Sequence, residues 1–298
     1  MLLTVDQLKV KFGACTALDI QRSICIEEGD RVGIIGSNGA GKSTFVKSVV
    51  GLVPYKGTMR SSIKRNEIAV HMQFNEYTDN MPVKYVMEAI LQTKIAKDPK
   101  LQELIHYFEF ERCLKKKYSK LSGGQKQRFT IIMILMQDAP LTFYDEVTSG
   151  LDFETRQKLV EKLAQWYQGK EASLCIVSHY YEELEQLADK LLILEKGRVV
   201  DYGYKEALFQ KYCGRSVIVM EASEKNERLS SGCRKLAAPA HLIALSCMSM
   251  EEETDIASRL IGQNVNFKRS NNDIECIYMN AKQAYENSGS IMEVNHAE

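Results

Sequence analysis

Two patterns of hydrophobic positions alternate along most of this chain. Short apolar runs bounded by turn residues predict buried strands, whereas apolar residues at three- and four-residue intervals predict helices. Buried strands are predicted at residues 31–35, 68–72, 141–144, 174–178 and 190–195. Helices are predicted at residues 43–51, 124–137, 152–168 and 181–188. Buried strands that alternate with helices are typical of an α/β fold with a parallel sheet.

Two further regions differ from this alternation. Apolar residues at helical spacing predict a helical insert within residues 75–119, and they are Val83, Val86, Met87, Ile90, Leu91, Leu101, Leu104, Ile105 and Phe108. Beyond Gly214, the predicted elements are strands at 216–220 and 241–247, a polar loop at 223–238, a helix at 252–261 and a strand pair at 265–267 and 274–278. These elements predict a small α+β appendage, whose last residues from about 284 are expected to fray.

Composition narrows the class of protein. The 298 residues suffice for two packed domains, and 39 basic residues balance 39 acidic ones, so bulk nucleic-acid binding is not expected. The 8 cysteines include no C-x-x-C pair, which gives zinc and redox sites no support and fits a reducing cytoplasm. No signal peptide is evident, and the longest apolar stretch, residues 131–136, is too short to span a bilayer.

A glycine-rich loop follows the first buried strand. Residues 36–43, GSNGAGKS, match G-x-x-x-x-G-K-[ST] between a predicted strand and a predicted helix, a context that opposes a chance match. In such a loop, backbone N–H groups turn toward phosphates and the helix N-terminus adds the positive end of its dipole. Lys42 can reach the β- and γ-phosphates and Ser43 can ligate Mg²⁺, so the loop predicts a nucleoside triphosphate site.

Two acids follow the apolar run at residues 141–144. Asp145 and Glu146 stand at the carboxyl end of a predicted parallel strand, the edge where such sheets bind ligands. Asp145 can hold Mg²⁺ there, and Glu146 can act as general base toward an attacking water. The alternative, a solvated acidic turn, is disfavoured by the buried strand ahead of the acids.

A second surface suited to an anion lies at residues 121–125, LSGGQ. Ser122 occupies an N-cap position ahead of a predicted helix, and Gly123 and Gly124 leave backbone N–H groups exposed. Alone, Ser-Gly-Gly indicates only an ordinary helix start. One nucleotide cannot easily occupy both this surface and the loop at 36–43 within a single subunit.

The loop, LSGGQ and the acid pair, taken in this order, resemble the ATP-binding cassette (ABC) family, specifically the nucleotide-binding subunit of an ABC transporter. The resemblance covers roughly residues 1–212. It implies a P-loop NTPase fold, with a RecA-like core, an antiparallel β subdomain and a helical subdomain at about 75–120. Residues 213–298 are then expected to form a small C-terminal accessory domain.

The resemblance also implies roles for individual residues. Its catalytic residues are Lys42, Glu146 and His179, the last because Ser178-His179 after a buried strand matches the family's switch. Its Mg²⁺ ligands are Ser43, Gln73 and Asp145. Its nucleotide-binding residues are Phe12, Gly36, Ser37, Asn38, Gly39, Ala40, Gly41, Lys42, Ser43, Thr44, Gln73, Ser122, Gly123, Gly124 and Gln125. Without the resemblance, Phe12 is a strand residue, Gln73 a surface amide and His179 a structural histidine.

The function implied is that of a subunit that binds and hydrolyses ATP with Mg²⁺. In the family, LSGGQ covers the ATP of the other subunit, which implies a head-to-tail homodimer or pseudo-dimer of cassettes. The partner implied is a separate transmembrane permease, with this subunit cytoplasmic and peripheral on the inner face of the membrane. The chain is most similar to exporters of drugs, antimicrobial peptides or lantibiotics, and Phe74 and Tyr77 are candidate permease contacts.

Two other functions remain open. A soluble ABC ATPase of DNA repair or translation usually carries coiled coils, a cysteine-rich insert or two cassettes, which this sequence lacks. A regulatory cassette without turnover is opposed by the intact Lys42, Asp145, Glu146 and His179. The appendage is expected to pack on the cassette or its twin and to adjust dimerisation or partner choice rather than chemistry. A chain truncated near Tyr212 is therefore expected to retain ATP binding.

Overall fold

The computed structural model describes residues 1–72 and 77–294, with side chains described through residue 288. Its strands are β1 (Leu3–Phe12), β2 (Cys15–Asp19), β3 (Ile24–Ile26), β4 (Arg31–Gly36), β5 (Lys56–Ser61), β6 (Ile68–His71), β7 (Leu141–Asp145), β8 (Ser173–Val177), β9 (Lys190–Glu195), β10 (Arg198–Tyr204), β11 (Ser216–Glu221), β12 (Lys235–Leu236), β13 (Leu242–Cys247) and β14 (Phe267–Ser270). Its α-helices are α1 (Lys42–Val49), α2 (Val83–Ile90), α3 (Pro99–Tyr107), α4 (Gly123–Leu135), α5 (Phe153–Tyr167), α6 (Tyr181–Leu187), α7 (Lys205–Cys213), α8 (Glu224–Leu229), α9 (Met250–Gly262) and α10 (Ile274–Val294). The predicted buried strands and the helices between them are confirmed within a few residues.

A six-stranded sheet forms the centre of the molecule, in the order β10-β9-β4-β8-β7-β6. The pairs β9-β4, β4-β8, β8-β7 and β7-β6 are parallel, and β10 joins antiparallel to β9. Every residue of β7, β8 and β9 is buried, because helices or a second sheet cover both faces. This arrangement matches the predicted α/β class.

An antiparallel sheet of β1, β2, β3 and β5 covers one side of this centre. Its apolar face shares a core with α1 and the central sheet, in which Val5 and Leu8 of β1 join Phe45 of α1 and Phe143 of β7. These four side chains are fully buried. Their burial supplies the hydrophobic stabilisation that fixes α1, and hence the loop before it, against the sheet.

The helical insert packs α2 and α3 against α4, the helix that LSGGQ begins, called here the signature helix. Phe108, Phe110 and Phe129 are fully buried at this junction. The ring centroid of Tyr77 lies 4.8 Å from that of Phe129 in an edge-on arrangement, so the partly buried Tyr77 packs against this core, and its role as a permease contact stays a prediction. Phe74 lies outside the described residues. Ile90 was predicted on the apolar face but is 53% exposed, because α2 ends there.

The appendage contains a four-stranded antiparallel sheet in the order β12-β13-β11-β14. The predicted strands at 216–220 and 241–247 and the helix at 252–261 are confirmed as β11, β13 and α9. The predicted loop at 223–238 is wrong, since it contains α8 and β12. The predicted strand at 274–278 is also wrong, because these residues begin α10, which continues to Val294, within the region expected to fray.

The helix α10 belongs to the core of the cassette rather than to the core of the appendage. Ile274, Ile277 and Ala281 are fully buried in the same cluster as residues of α6 and α7. Their i, i+3, i+7 spacing gives one helical face, and the Asp273 carboxylate caps the helix by accepting from the Cys276 amide at 2.9 Å. The appendage therefore packs on its own cassette through its last helix. The division at residue 212 stays a prediction.

No helix in the described part of the chain is both long enough and apolar enough to cross a membrane.

Candidate functional site

Three neighbouring strands end at one edge of the central sheet. The loop at residues 36–43 follows β4, Ser178 and His179 follow β8, and β7 ends at Asp145. Because these strands are parallel and adjacent, their carboxyl ends converge, as expected of a ligand site in an α/β sheet. The edge holds a cavity of about 200 Å³ lined by Ala17, Asn38, Gly39, Ala40, Gly41, Lys42, Ser43, Thr44, Glu146 and His179.

The loop at residues 36–43 curls around the ammonium group of its own lysine. Lys42 begins α1, and its Nζ donates to the carbonyls of Gly36 at 2.8 Å and Ser37 at 3.0 Å. Gly41 has a φ of 98°, and a Cβ there would lie 2.5 Å from Leu18 Cδ2, so both conformation and space require glycine. The loop thus presents backbone N–H groups, a helix N-terminus and a cation to the cavity, a combination suited to phosphate.

Carboxylates surround Lys42. Burial lowers the pKa of Lys42, and the negative charges of Glu146, Asp145 and Glu195 oppose that shift. Asp145 is 1% exposed, and its burial raises its pKa despite a hydrogen bond from Ser43. A cation bound beside a buried carboxylate stabilises the ionised form that burial disfavours.

The pair Ser43 and Asp145 fits a magnesium ion. Asp145 Oδ1 is buried without a hydrogen-bond partner among the residues that the structure describes. Hydroxyl and carboxylate oxygens are the ligands that Mg²⁺ takes from proteins, with phosphates and water completing its shell. Gln73, the third predicted ligand, lies outside the described residues.

Glu146 and His179 face each other across the strand ends. Glu146 Oε1 lies 3.0 Å from His179 Nε2. The Glu146 backbone has a φ of 53°, which costs about 1–3 kcal/mol for a residue with a side chain, and its amide donates to the Val177 carbonyl at 3.0 Å. The bond to β8 holds this conformation, which aims the carboxylate at the histidine.

A buried acid, Glu183, joins the segments that carry Glu146 and His179. Its carboxylate accepts from the hydroxyls of Thr148 and Ser178, each at 2.6 Å, and lies 3.7 Å from Arg156 Nε. Burial raises the pKa of Glu183, opposed by these two hydrogen bonds and by Arg156. Sequence reasoning missed this residue, although an acid on the first turn of a helix just after Ser178-His179 was a visible signal.

Two more buried polar residues near the site were missed. Glu195, at the end of β9, is 3% exposed and accepts from Ser37 Oγ at 3.0 Å. His71, at the end of β6, is fully buried with Nε2 2.8 Å from Gln127 Oε1 on α4, and burial lowers its pKa to about 4. The neutral His71 therefore connects the central sheet to the signature helix.

The LSGGQ residues stand apart from the phosphate cavity. Ser122 is the N-cap of α4, where its Oγ accepts from the Gln125 amide at 3.3 Å and Gln125 Oε1 accepts from the Ser122 amide at 3.2 Å. This reciprocal pair is a capping box. Gly124 lines a different cavity, together with Arg128 and Thr155. The structure therefore does not bring Ser122, Gly123, Gly124 and Gln125 to the loop at 36–43 of the same chain.

Phe12 lies at the outer end of β1. Its side chain is 53% exposed, and it pairs with Cys15 across the hairpin to β2. Ala17, on the same β2, lines the phosphate cavity. An exposed ring on this hairpin is available for stacking on a flat ligand near the loop.

Comparisons with known proteins agree with this geometry. The family described as ABC transporter matches residues 21–149. The Nod factor export ATP-binding protein I of Rhizobium sp. is 31% identical over 222 residues, covering 70% of this chain and 73% of that protein. The linearmycin resistance ATP-binding protein LnrL of Bacillus subtilis is 27% identical over 276 residues, covering 86% of each.

Other relatives are matched over a smaller share of their length. The methionine import ATP-binding protein MetN of Corynebacterium glutamicum is 31% identical over 211 residues. The matched part is 65% of this chain and only 58% of that protein. Among solved structures, an ATP-binding subunit of an ABC transporter superposes with a TM-score of 0.63 and 23% identity, covering 71% of this chain and 93% of that one. The likeness supports the P-loop cassette fold.

Replacement of Glu183 by glutamine should destabilise the protein. An amide offers one acceptor oxygen to two hydroxyl donors and no charge to Arg156, so we expect the free energy of unfolding to fall by about 1–3 kcal/mol. Chemical denaturation measures this change, with Glu182→Gln as the control, because Glu182 is exposed on the same turn. Equal stability of the two variants contradicts a structural role for the Glu183 network.

Proposed function

Because the chain belongs to the family of ABC transporter ATP-binding proteins, we propose that it binds and hydrolyses ATP to drive a transport cycle. The observation that carries the proposal is the convergence of the phosphate loop, Asp145 and the Glu146–His179 pair at one edge of the sheet. A cassette that only regulates has no need for an acid and a histidine held 3.0 Å apart beside that loop.

Each group at this edge has a chemical task in the proposed reaction. The loop amides, Lys42 and the start of α1 bind the phosphates and stabilise the charge that develops during phosphoryl transfer. Ser43 and Asp145 are the residues that would hold Mg²⁺, which neutralises phosphate charge when bound. Glu146 accepts a proton from the attacking water, and His179 orients the Glu146 carboxylate. Phe12 stacks on the adenine.

The proposed site is completed by a second chain. Ser122 and the glycines after it form a helix start suited to an anion, yet none of them lines the phosphate cavity of their own chain, and Gly124 lines a different one. In a head-to-tail dimer the same surface covers the nucleotide of the partner. ATP binding then draws two cassettes together, and hydrolysis releases them.

The proposed partner is a transmembrane permease, with this subunit on the cytoplasmic face of the membrane. We favour export, because the match to the linearmycin resistance protein extends over 86% of both chains and so reaches into the appendage. The match to the methionine import protein covers 65% of this chain.

Isolation of the detergent-solubilised complex through this subunit should yield a membrane-spanning partner, whereas recovery of the subunit alone opposes coupling to a permease.

Replacement of Glu146 by glutamine tests the proposed reaction. We expect turnover to fall about 10²–10⁴-fold, because the amide keeps the shape of the side chain but cannot accept the proton. ATP affinity should stay within about twofold, since the phosphate contacts remain. Phosphate release and equilibrium binding measure the two effects, with Glu161→Gln on the exposed side of α5 as control. Undiminished hydrolysis in the purified variant rules out Glu146 as the base.

Mixing two inactive variants tests the composite site. In a mixed dimer of Lys42→Ala and Ser122→Arg chains, both changes fall on one site and the other site stays intact. A random mixture should therefore recover about a quarter of wild-type hydrolysis, because half of the dimers are mixed and each keeps one of two sites. Activity no higher than that of either variant alone argues against the head-to-tail arrangement or requires both sites to act together.

A further inference from the structure

The helix α10 reaches the phosphate loop through one buried carboxylate. Glu195 Oε1 accepts from Ser37 Oγ at 3.0 Å within the loop. On its other side, Glu195 Oε2 accepts from the Tyr278 hydroxyl at 3.2 Å, and Lys282 Nζ lies 3.5 Å from Oε1. Both partners stand one turn apart on the same face of α10. The appendage is thus linked to the loop by hydrogen bonds and an ion pair.

The charge of Glu195 matters because of where it lies. Its side chain is 4% exposed, and it acts on Lys42 together with Asp145 and Glu146. A buried anion next to a site for phosphates weakens their binding unless a cation offsets it. Lys282 supplies that cation from α10. Its own side chain is 32% exposed, so the ion pair is partly shielded from solvent.

Tyr278 also lies beside the segment that follows His179. Its ring centroid lies 6.3 Å from that of Tyr181, the first residue of α6, which follows His179 by two positions. Burial and the Glu195 charge raise the pKa of Tyr278 to about 12, so its hydroxyl keeps its proton and can donate. Ile274, Ile277 and Ala281 are fully buried against the cassette and hold α10 in this place.

We propose that Tyr278 and Lys282 are positioning residues of the nucleotide site, which hold Glu195 against Ser37 and neutralise its charge, so that the C-terminal helix sets the affinity of the phosphate loop for ATP. This inference rests on the proposed function and adds to it a part of the chain outside the cassette motifs. The inference departs from the expectation that the appendage adjusts dimerisation or partner choice rather than chemistry, because Tyr278 and Lys282 reach the phosphate loop through Glu195.

The effect of the Glu195 charge on nucleotide affinity can be measured by equilibrium binding of a fluorescent ATP analogue with Mg²⁺ to the 298-residue chain. Lys282→Met should weaken binding about fivefold, because Glu195 keeps its charge and loses the cation that offsets it. Lys282→Arg should stay within about twofold of wild type, since it restores the cation. The double variant Lys282→Met with Glu195→Gln should recover most of the loss, because no charge is left to offset.

The hydroxyl of Tyr278 is tested in the same assay. Tyr278→Phe keeps the ring against Tyr181 and removes only the hydrogen bond to Glu195, so we expect binding about two- to threefold weaker. Tyr285→Phe is the matched control on α10, and Lys235→Met is the control for a lysine that pairs with a glutamate within the appendage. Both controls should bind the analogue as wild type does.

The possible results separate the inference from the proposed function. Wild-type binding by Lys282→Met and Tyr278→Phe overturns the inference and leaves the proposed function standing. Equal weakening in Lys282→Met and in the double variant also overturns it, because the lysine then acts through packing and not through the charge of Glu195. Absence of analogue binding to the wild-type chain overturns both.

Discussion

The parallel pairing of β4, β8 and β7 is the constraint on which the rest of the site depends. Parallel neighbouring strands end at the same edge of the sheet. The strand order alone therefore brings together the loop after β4, the acids at the end of β7 and the histidine after β8. The pairing is secured by burial, since β7 and β8 are covered on both faces. A shift of one strand relative to the next would separate Glu146 from His179 and remove the proposed acid–histidine pair.

This edge concentrates carboxylates, and each has a specific means of tolerating burial. Asp145 is bonded by Ser43 and has one oxygen without a hydrogen-bond partner among the described residues, whereas Glu183 accepts from two hydroxyls and lies near Arg156. Glu195 is held by Ser37 and by two residues of α10. An acid left without such partners would shift toward its neutral form or destabilise the fold. Packing of the C-terminal helix and electrostatics of the phosphate loop are therefore connected.

The sequence predicted the elements that carry a single unambiguous pattern. The strands at 141–144 and 190–195 are apolar, short and bounded by turns, and they occur as β7 and β9. The residues at 274–278 were assigned wrongly, because a short and mostly apolar stretch fits a strand as well as the start of a helix. Only the continuation through Ala281, and its burial against α6 and α7, identifies α10 as a helix of the cassette core.

Some residues of the candidate site could likewise be predicted from a local pattern, and others could not. Lys42, Ser43, Asp145 and Glu146 could be named from local motifs, since their spacing to a strand end fixes where they lie. The roles of Glu183, Glu195 and Tyr278 depend on partners distant in sequence, such as Ser37 and Thr148, and no local pattern encodes those pairings. The left-handed backbone of Glu146 was likewise invisible, because its cause is a bond to β8.

A structure of the Glu146→Gln chain with Mg²⁺ and ATP tests the central claim most directly. The account predicts a dimer in which each nucleotide lies between the loop at residues 36–43 of one chain and Ser122 of the other. A nucleotide enclosed by one chain, or bound away from the loop that follows β4, would contradict it.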